Sequence, residues 1–233
     1  MTETALAPPP EGALHDVRFP GESAAYREAR DALLQAEIEL RRQVERVAAL
    51  RRQLPPGGEV AQDYVFEADE GPIRLSQLFG DKDTLVAYSY MYGPRMERPC
   101  PSCTSMLDSL DGQAPHISQS VSLAVIARSP LARIKAFTDP RGWRNLRLLS
   151  SAANDYHRDY HGESAEGAQL PAMNIFTRRD GSVRHFWASE MMFAPSDPGQ
   201  DPRHVDMIWP LWNVLDMTPE GRGDSFYPKL SYD

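Results

Sequence analysis

The sequence predicts an α/β protein, in which a parallel β-α-β unit runs into a β-hairpin and a long helix stands in front. Three observations carry this. Apolar runs at 84–92 (TLVAYSYMY) and 121–126 (VSLAVI) read as buried strands. Between them Met106, Leu107 and Leu110 sit at helical spacing, and after them Leu131, Ile134 and Phe137 mark one face of a helix over 130–140. Strand, helix, strand, helix in that order implies parallel strands joined by a right-handed crossover. Finally, 170–177 and 182–187 flank Asp180-Gly181, a dipeptide suited to the tip of a hairpin.

The bulk numbers limit the function. With 233 residues, 41% hydrophobic and 25% charged, the chain can bury one substantial core. A net charge of -8 argues against nucleic-acid partners and against a negatively charged membrane surface. No apolar run approaches the ~18 residues of a membrane span. The first dozen residues lack the basic and apolar regions of a secretory signal. A cytoplasmic setting is the expectation, and the reading calls for no cofactor.

In chain order, residues 1–22 are irregular, broken by Pro8-Pro9-Pro10 and Pro20-Gly21, and the first dozen are expected to be disordered. Residues 23–54 form a long helix, capped by Ser23 and stopped by Pro55-Pro56-Gly57-Gly58. Tyr26, Leu33, Leu40, Val47 and Leu54 recur every seven residues. Ala29, Ala36 and Leu50 take the fourth position of the same heptads, and Gln43 interrupts them. This is the seam of a coiled coil, a rod of about 48 Å that can serve as a dimer arm or pack across its own domain. The core domain spans 59–233. It opens with two short strands at 64–66 and 73–75, a helical turn at 76–79 and a loop at 81–83. After the second helix come Trp143, Leu146, Leu148 and Leu149, then a polar stretch at 154–167. Following the hairpin, 188–206 is irregular, 205–215 carries helical spacing with Pro210 in its first turn, and an aromatic tail is expected to pack on the surface.

The two cysteines, Cys100 and Cys103, lie where the first buried strand hands over to a helix. A thiol at that point meets unpaired backbone N–H groups and the positive end of the helix dipole, which favour the thiolate. The two-residue spacer lets the second sulfur reach the first, so the pair can cycle between dithiol and disulfide. Pro101 starts the helix without losing a hydrogen bond. The competing readings are half of a zinc site, for which no second Cys-x-x-Cys exists, and two inert cysteines. Arg95 and Arg98 in the preceding loop are candidate thiolate stabilisers, or else solvated loop charges. His157 and His161, four apart beside Asp155 and Asp159, are weak metal-ligand candidates if they share a helix face; an exposed polar segment is the alternative.

The order of these pieces resembles the thioredoxin fold, and the leading hairpin with its turn at 75–79 resembles the peroxiredoxin-like branch. More closely, Tyr64-Val65-Phe66, Leu75 to Phe79 with Gly80 to Asp83, Met91-Tyr92-Gly93, Cys100-Pro101-Ser102-Cys103 and the ending Leu215 to Arg222 are similar to an uncharacterised bacterial thioredoxin-like family of unknown function. The resemblance implies a three-layer α/β/α domain with a mixed central sheet. It implies a cis-proline at Pro171 beside the thiols. Pro171, Pro99 and Tyr92 then become the candidate substrate contacts. The implied activity is thiol–disulfide exchange on a protein or small-molecule disulfide or thiol, with Cys100 attacking and Cys103 resolving. A thiol peroxidase, or a non-catalytic metal-binding or dimeric binding module, is the rival. Pro99 stands where thioredoxins have Trp, and Pro101-Ser102 replaces Gly-Pro. Cys100 also lacks the peroxiredoxin Pro-x-x-x-Thr-x-x-Cys context.

Overall fold

The computed structural model describes residues 14–223 and 225–232; the expectation for the first dozen residues lies outside that range. The chain divides into two compact units, 1–55 and 56–233.

The first unit is dominated by α1 (Ala24–Arg52). Ser23 caps it, its hydroxyl accepting the Tyr26 N–H at 3.1 Å. No residue of α1 is buried. Of the apolar heptad positions, Tyr26, Leu33, Leu40, Leu50 and Leu54 are exposed and Val47 is half-buried.

In the second unit a seven-stranded sheet has the order β2-β1-β5-β4-β3-β6-β7. The elements are β1 (Val65–Ala68), β2 (Gly71–Arg74), β3 (Thr84–Tyr90), α2 (Pro101–Ile117), β4 (Ser122–Ala127), α3 (Leu131–Arg141), β5 (Leu148–Ser150), α4 (Tyr156–Asp159), β6 (Ala172–Arg179), β7 (Ser182–Ala188) and α5 (Pro210–Leu215). β3, β4 and β5 are parallel and the remaining pairs antiparallel, giving a mixed sheet that begins with an N-terminal hairpin. The β6–β7 turn has positive φ at Asp180 and Gly181, as a two-residue hairpin turn of this hand requires.

The strand β5 went unread in the sequence, because three residues are too few to show a period of two. It continues the β3-α2-β4-α3 progression by one strand, so α2 and α3 lie on the same face of the sheet. That face buries Tyr88, Tyr90, Met106, Leu107, Ile134 and Trp143 together with Trp209 just ahead of α5. The opposite face holds Phe66, Leu75, Phe79, Leu85, Tyr156 and Phe176. Its outer layer is thin: the four residues of α4 and the 3-10 turn Leu75–Gln77.

Two local devices shape the sheet and its helix. Gly57 and Gly58 run along the edge strand β7, where the His185 N–H donates to Gly58 O at 2.9 Å and the Val60 N–H to Val183 O at 2.9 Å. A Cβ on Gly57 would lie 1.8 Å from the His185 carbonyl oxygen, so only glycine permits this approach. Pro115 inside α2 has no N–H for the Asp111 carbonyl, and Asn145 Nδ2 donates to that oxygen instead, at 3.1 Å.

Among the described residues no helix is long and apolar enough to cross a membrane.

Candidate active site

Cys100 is the N-cap of α2 and Pro101 its first residue, as the sequence predicts. The Cys100 N–H donates to Met91 O at 3.0 Å, which ties the cap to the end of β3. Its carbonyl accepts from the Thr104 N–H at 3.0 Å and from Thr104 Oγ1 at 2.8 Å. Because Thr104 spends its proton there, Tyr90 is the donor in the 2.7 Å contact between the Tyr90 and Thr104 hydroxyls. A buried chain from β3 thus fixes the cap carbonyl and leaves the sulfur to the helix N–H groups.

The Cys103 N–H donates to Cys100 Sγ at 3.5 Å. Both cysteines are free and buried, Cys100 9% exposed and Cys103 3%. Their acidities diverge. The Cys100 thiol is lowered to about 6, chiefly by a hydrogen bond from Cys103; burial opposes this, and the backbone N–H groups of Cys103 and Ser102 and the Tyr227 hydroxyl add to it. Burial pushes the Cys103 thiol well up, and its bond to Cys100 pushes it further, against donation from the Tyr88 hydroxyl and the Met91 N–H. The pair is therefore a thiolate at the helix start with a protonated thiol behind it.

The loop that delivers Cys100 is held by Arg133 of α3. Its guanidinium donates to Gly93 O and Pro94 O at 3.3 Å each, to Glu97 O at 3.2 Å and to Met96 O. It also lies 4.7 Å from the centre of the Tyr92 ring. Sequence reasoning missed Arg133, since nothing local links a residue on α3 to a loop some forty residues earlier.

The other candidates fare differently. Arg95 donates to Glu166 O at 2.9 Å and Arg98 is exposed; the main influences on Cys100 come from its own helix and from Tyr227. Tyr92, expected as a substrate contact, is 5% exposed under Arg133 and Phe137 and belongs to the core. Pro99 is buried and Pro171 half-buried. The expected cis bond at Pro171 is corrected: no cis peptide occurs among the described residues. Pro171 precedes β6, whose first residue Ala172 pairs with Ser89 of β3, so it lies beside the strand end that leads to the thiols.

His157 and His161 do not share a helix face. α4 ends at Asp159, and His161 turns away in the left-handed region with φ 54°. His161 packs on Phe193, with ring centres 5.6 Å apart. His157 is buried, its Nδ1 2.7 Å from Ser151 Oγ, and burial followed by the charge of Arg128 lowers its pKa to about 3. Among the described residues no three His, Cys, Asp or Glu side chains group as metal ligands.

Over residues 17–232 the chain matches the model of a family described as "Bacterial protein of unknown function (DUF899)". It belongs to this family. The distinctive ending has a structural role: Arg222 donates to both Asp216, at 2.7 Å, and Asp206, at 2.7 Å, closing the turn after α5. No curated protein matches the chain in sequence. Among solved structures it is similar to peroxidoxin BcpB from Mycobacterium tuberculosis, with 18% identity, 70% of this chain and 99% of that one covered, and a TM-score of 0.43. It is similar to a mutant of PrxQ from Xylella fastidiosa at 13% identity, 70% and 97% coverage and a TM-score of 0.45. It is also similar to an exposed lipoprotein thioredoxin from Streptococcus pneumoniae at 14% identity, 64% and 99% coverage and a TM-score of 0.41.

Proposed function

We propose that the protein is a thiol–disulfide oxidoreductase. The observation that carries this reading is the split acidity of two sulfurs on one helical turn, Cys100 lowered to about 6 and Cys103 raised. The Cys100 thiolate attacks one sulfur of a substrate disulfide, forming a mixed disulfide and expelling the other sulfur as a thiolate that takes a proton from water. Cys103 then loses its proton and attacks Cys100 Sγ. The second substrate thiolate leaves, and Cys100–Cys103 becomes the disulfide. Two electrons pass from the protein to the substrate, and a cellular thiol such as glutathione returns them. Cys103 is suited to the second step because it stays protonated until the mixed disulfide removes the neighbouring negative charge.

The test is equilibration of the reduced protein in glutathione redox buffers, with and without zinc or copper, followed by counting of free thiols. The expected result is a two-electron transition to an intramolecular disulfide, with a glutathione adduct accumulating at Cys100 in Cys103→Ser. Thiols that stay reduced across all buffers, and no adduct in the variant, would refute the reading.

A second reading follows from the 9% exposure of Cys100, which suits a small oxidant. A hydroperoxide would transfer one oxygen to the Cys100 thiolate, giving the sulfenic acid and an alcohol. Condensation with the Cys103 thiol would release water and close the same disulfide. Sulfenic acid trapping in Cys103→Ser separates the two readings.

A further inference from the structure

The long helix α1 has two unlike faces. Arg27, Asp31, Leu34 and Ile38 follow one another at three- and four-residue steps and are half-buried. At the head of that ridge Arg27 Nη1 donates to Val17 O at 3.2 Å, and its Nε lies 3.8 Å from Glu22 and 3.5 Å from Asp31. The heptad seam runs along the other side of the helix. There Leu33 is 46% exposed, Leu40 64% and Leu50 63%. A strict seven-residue repeat fits a second helix that supercoils with the first. Against a broad surface the same stripe would drift by about 20° per heptad.

The seam residues also give the direction of that second helix. Positions 26, 33, 40 and 47 hold Tyr, Leu, Leu and Val, whereas 29, 36 and 43 hold Ala, Ala and Gln, with Leu only at 50. Parallel pairing of two copies sets each position against itself. Leucine layers then alternate with Ala29 and Ala36 layers that leave gaps, and Arg46 faces Arg51 of the second copy. Antiparallel pairing sets the large series against the small one. Two antiparallel registers cover Leu33, Leu40 and Leu50 together. In one, Leu40 meets Ala36 of the second copy, and Glu37 and Glu39 each face their own counterparts. In the other, Leu40 meets Gln43, Leu33 meets Leu50 and Val47 meets Ala36, and Glu39 flanks Arg46 of the second copy twice over by symmetry. Arg30 and Arg51 approach on the opposite flank of that register, and both are half-buried within their own chain. Of the three arrangements, this one alone gains pairs of opposite charge along its flanks.

We propose that α1 is a dimer arm, pairing antiparallel with α1 of a second copy in the register that sets Leu40 against Gln43. Gln43 then lies near the two-fold axis, where a single polar residue in an apolar seam fixes register. Its Oε1 accepts from Arg46 Nε at 2.9 Å, which holds that guanidinium at the edge of the seam. The helix carries no residue of the thiol site, so the pairing does not depend on the proposed redox reading.

The experiment is sedimentation equilibrium of the reduced full-length protein across the micromolar range, for wild type and four variants. Wild type is expected to sediment at twice the 26.2 kDa chain mass. Leu40→Glu puts a carboxylate from each copy into the seam and is expected to weaken the dimer by about 100-fold or more. Circular dichroism and an unmoved Cys100 alkylation midpoint check that this variant stays folded. Glu39→Arg and Arg46→Glu are each expected to weaken the dimer by about tenfold, and the double reversal to return it to within about twofold of wild type. A wild type that sediments as a monomer, or a dimer that keeps its affinity in Leu40→Glu, would overturn the pairing. A double reversal no tighter than the single ones would overturn the antiparallel register.

Discussion

The two faces of β3 each carry a buried polar constellation, and the titratable group at the centre of each is pushed in the opposite sense. On one face Tyr88 and Tyr90 lie beside the thiols of α2. On the other Ser89 lies beside His157 and Gly162. Both reactive groups are nearly closed off from water, yet Cys100 is pushed toward its charged form and His157 away from it. The difference is in the donors. At the start of α2 the Cys103 N–H donates to the sulfur at 3.5 Å, and the Cys103 thiol, the Ser102 N–H and the Tyr227 hydroxyl also favour the thiolate, so that together they outweigh desolvation. At His157 the ring has Ser151 on one nitrogen and the positive charge of Arg128 nearby, so the imidazolium would be both desolvated and repelled. Burial alone therefore predicts the direction at His157 but not at Cys100, where hydrogen bonds to the thiolate outweigh it.

The largest expected effect separates the faces outright. Cys100→Ser should reduce exchange in glutathione buffers to background, while His157→Gln should leave its rate within about twofold, the latter a neutral polar swap remote from the sulfur. Comparable losses in both would mean the faces act as one site.

Next is Gly162→Ala. Its new methyl would lie 2.7 Å from His157 Cδ2 and 2.9 Å from Ser89 Oγ, so unfolding free energy in urea should fall by about 1–3 kcal/mol with the Cys100 alkylation profile unmoved. A shifted profile would show the constellations to be coupled through β3.

The pH windows give a third contrast. The Cys100 pKa falls from 9.0 to about 6 on folding, so its contribution to the stability of the reduced protein is full above about 9 and is lost as pH drops through 6. The His157 pKa falls from 6.5 to about 3, so its contribution is present above 6.5 and disappears as pH falls towards 3. Urea midpoints against pH should show Cys100→Ser flattening the curve between 6 and 9, and His157→Gln flattening it between 3 and 6.5. The same variant flattening both windows would contradict the separation.

The smallest effect is expected at Arg133. Arg133→Met removes donors to four loop carbonyls, and should cost about 1–2 kcal/mol and speed amide exchange at Cys100 while leaving its alkylation midpoint in place.

Much of the thiol face was legible in the sequence because it is local. Cys100, Pro101 and Cys103 fall within four residues of one cap, and the apolar strand and helix around them announce themselves by period. The hairpin at Asp180-Gly181 was readable for the same reason. What escaped depends on distance along the chain. Arg133 meets the thiol loop only after α3 has folded back. β5 is too short to show alternation. The His157 pocket was misread because spacing of four presumes a continuing helix. α4 stops at Asp159, and the Gly162 N–H then caps the His157 carbonyl at 2.7 Å. Pro171 kept its place at the head of β6 but not the expected cis geometry.

The most direct measurement is the pH dependence of Cys100 alkylation in the reduced wild-type protein, followed by mass spectrometry of the modified peptide. The account predicts a single ionisation near 6 at Cys100, with Cys103 unmodified through the neutral range. A midpoint at the ordinary thiol value of about 8.5, or equal labelling of both cysteines, would contradict it.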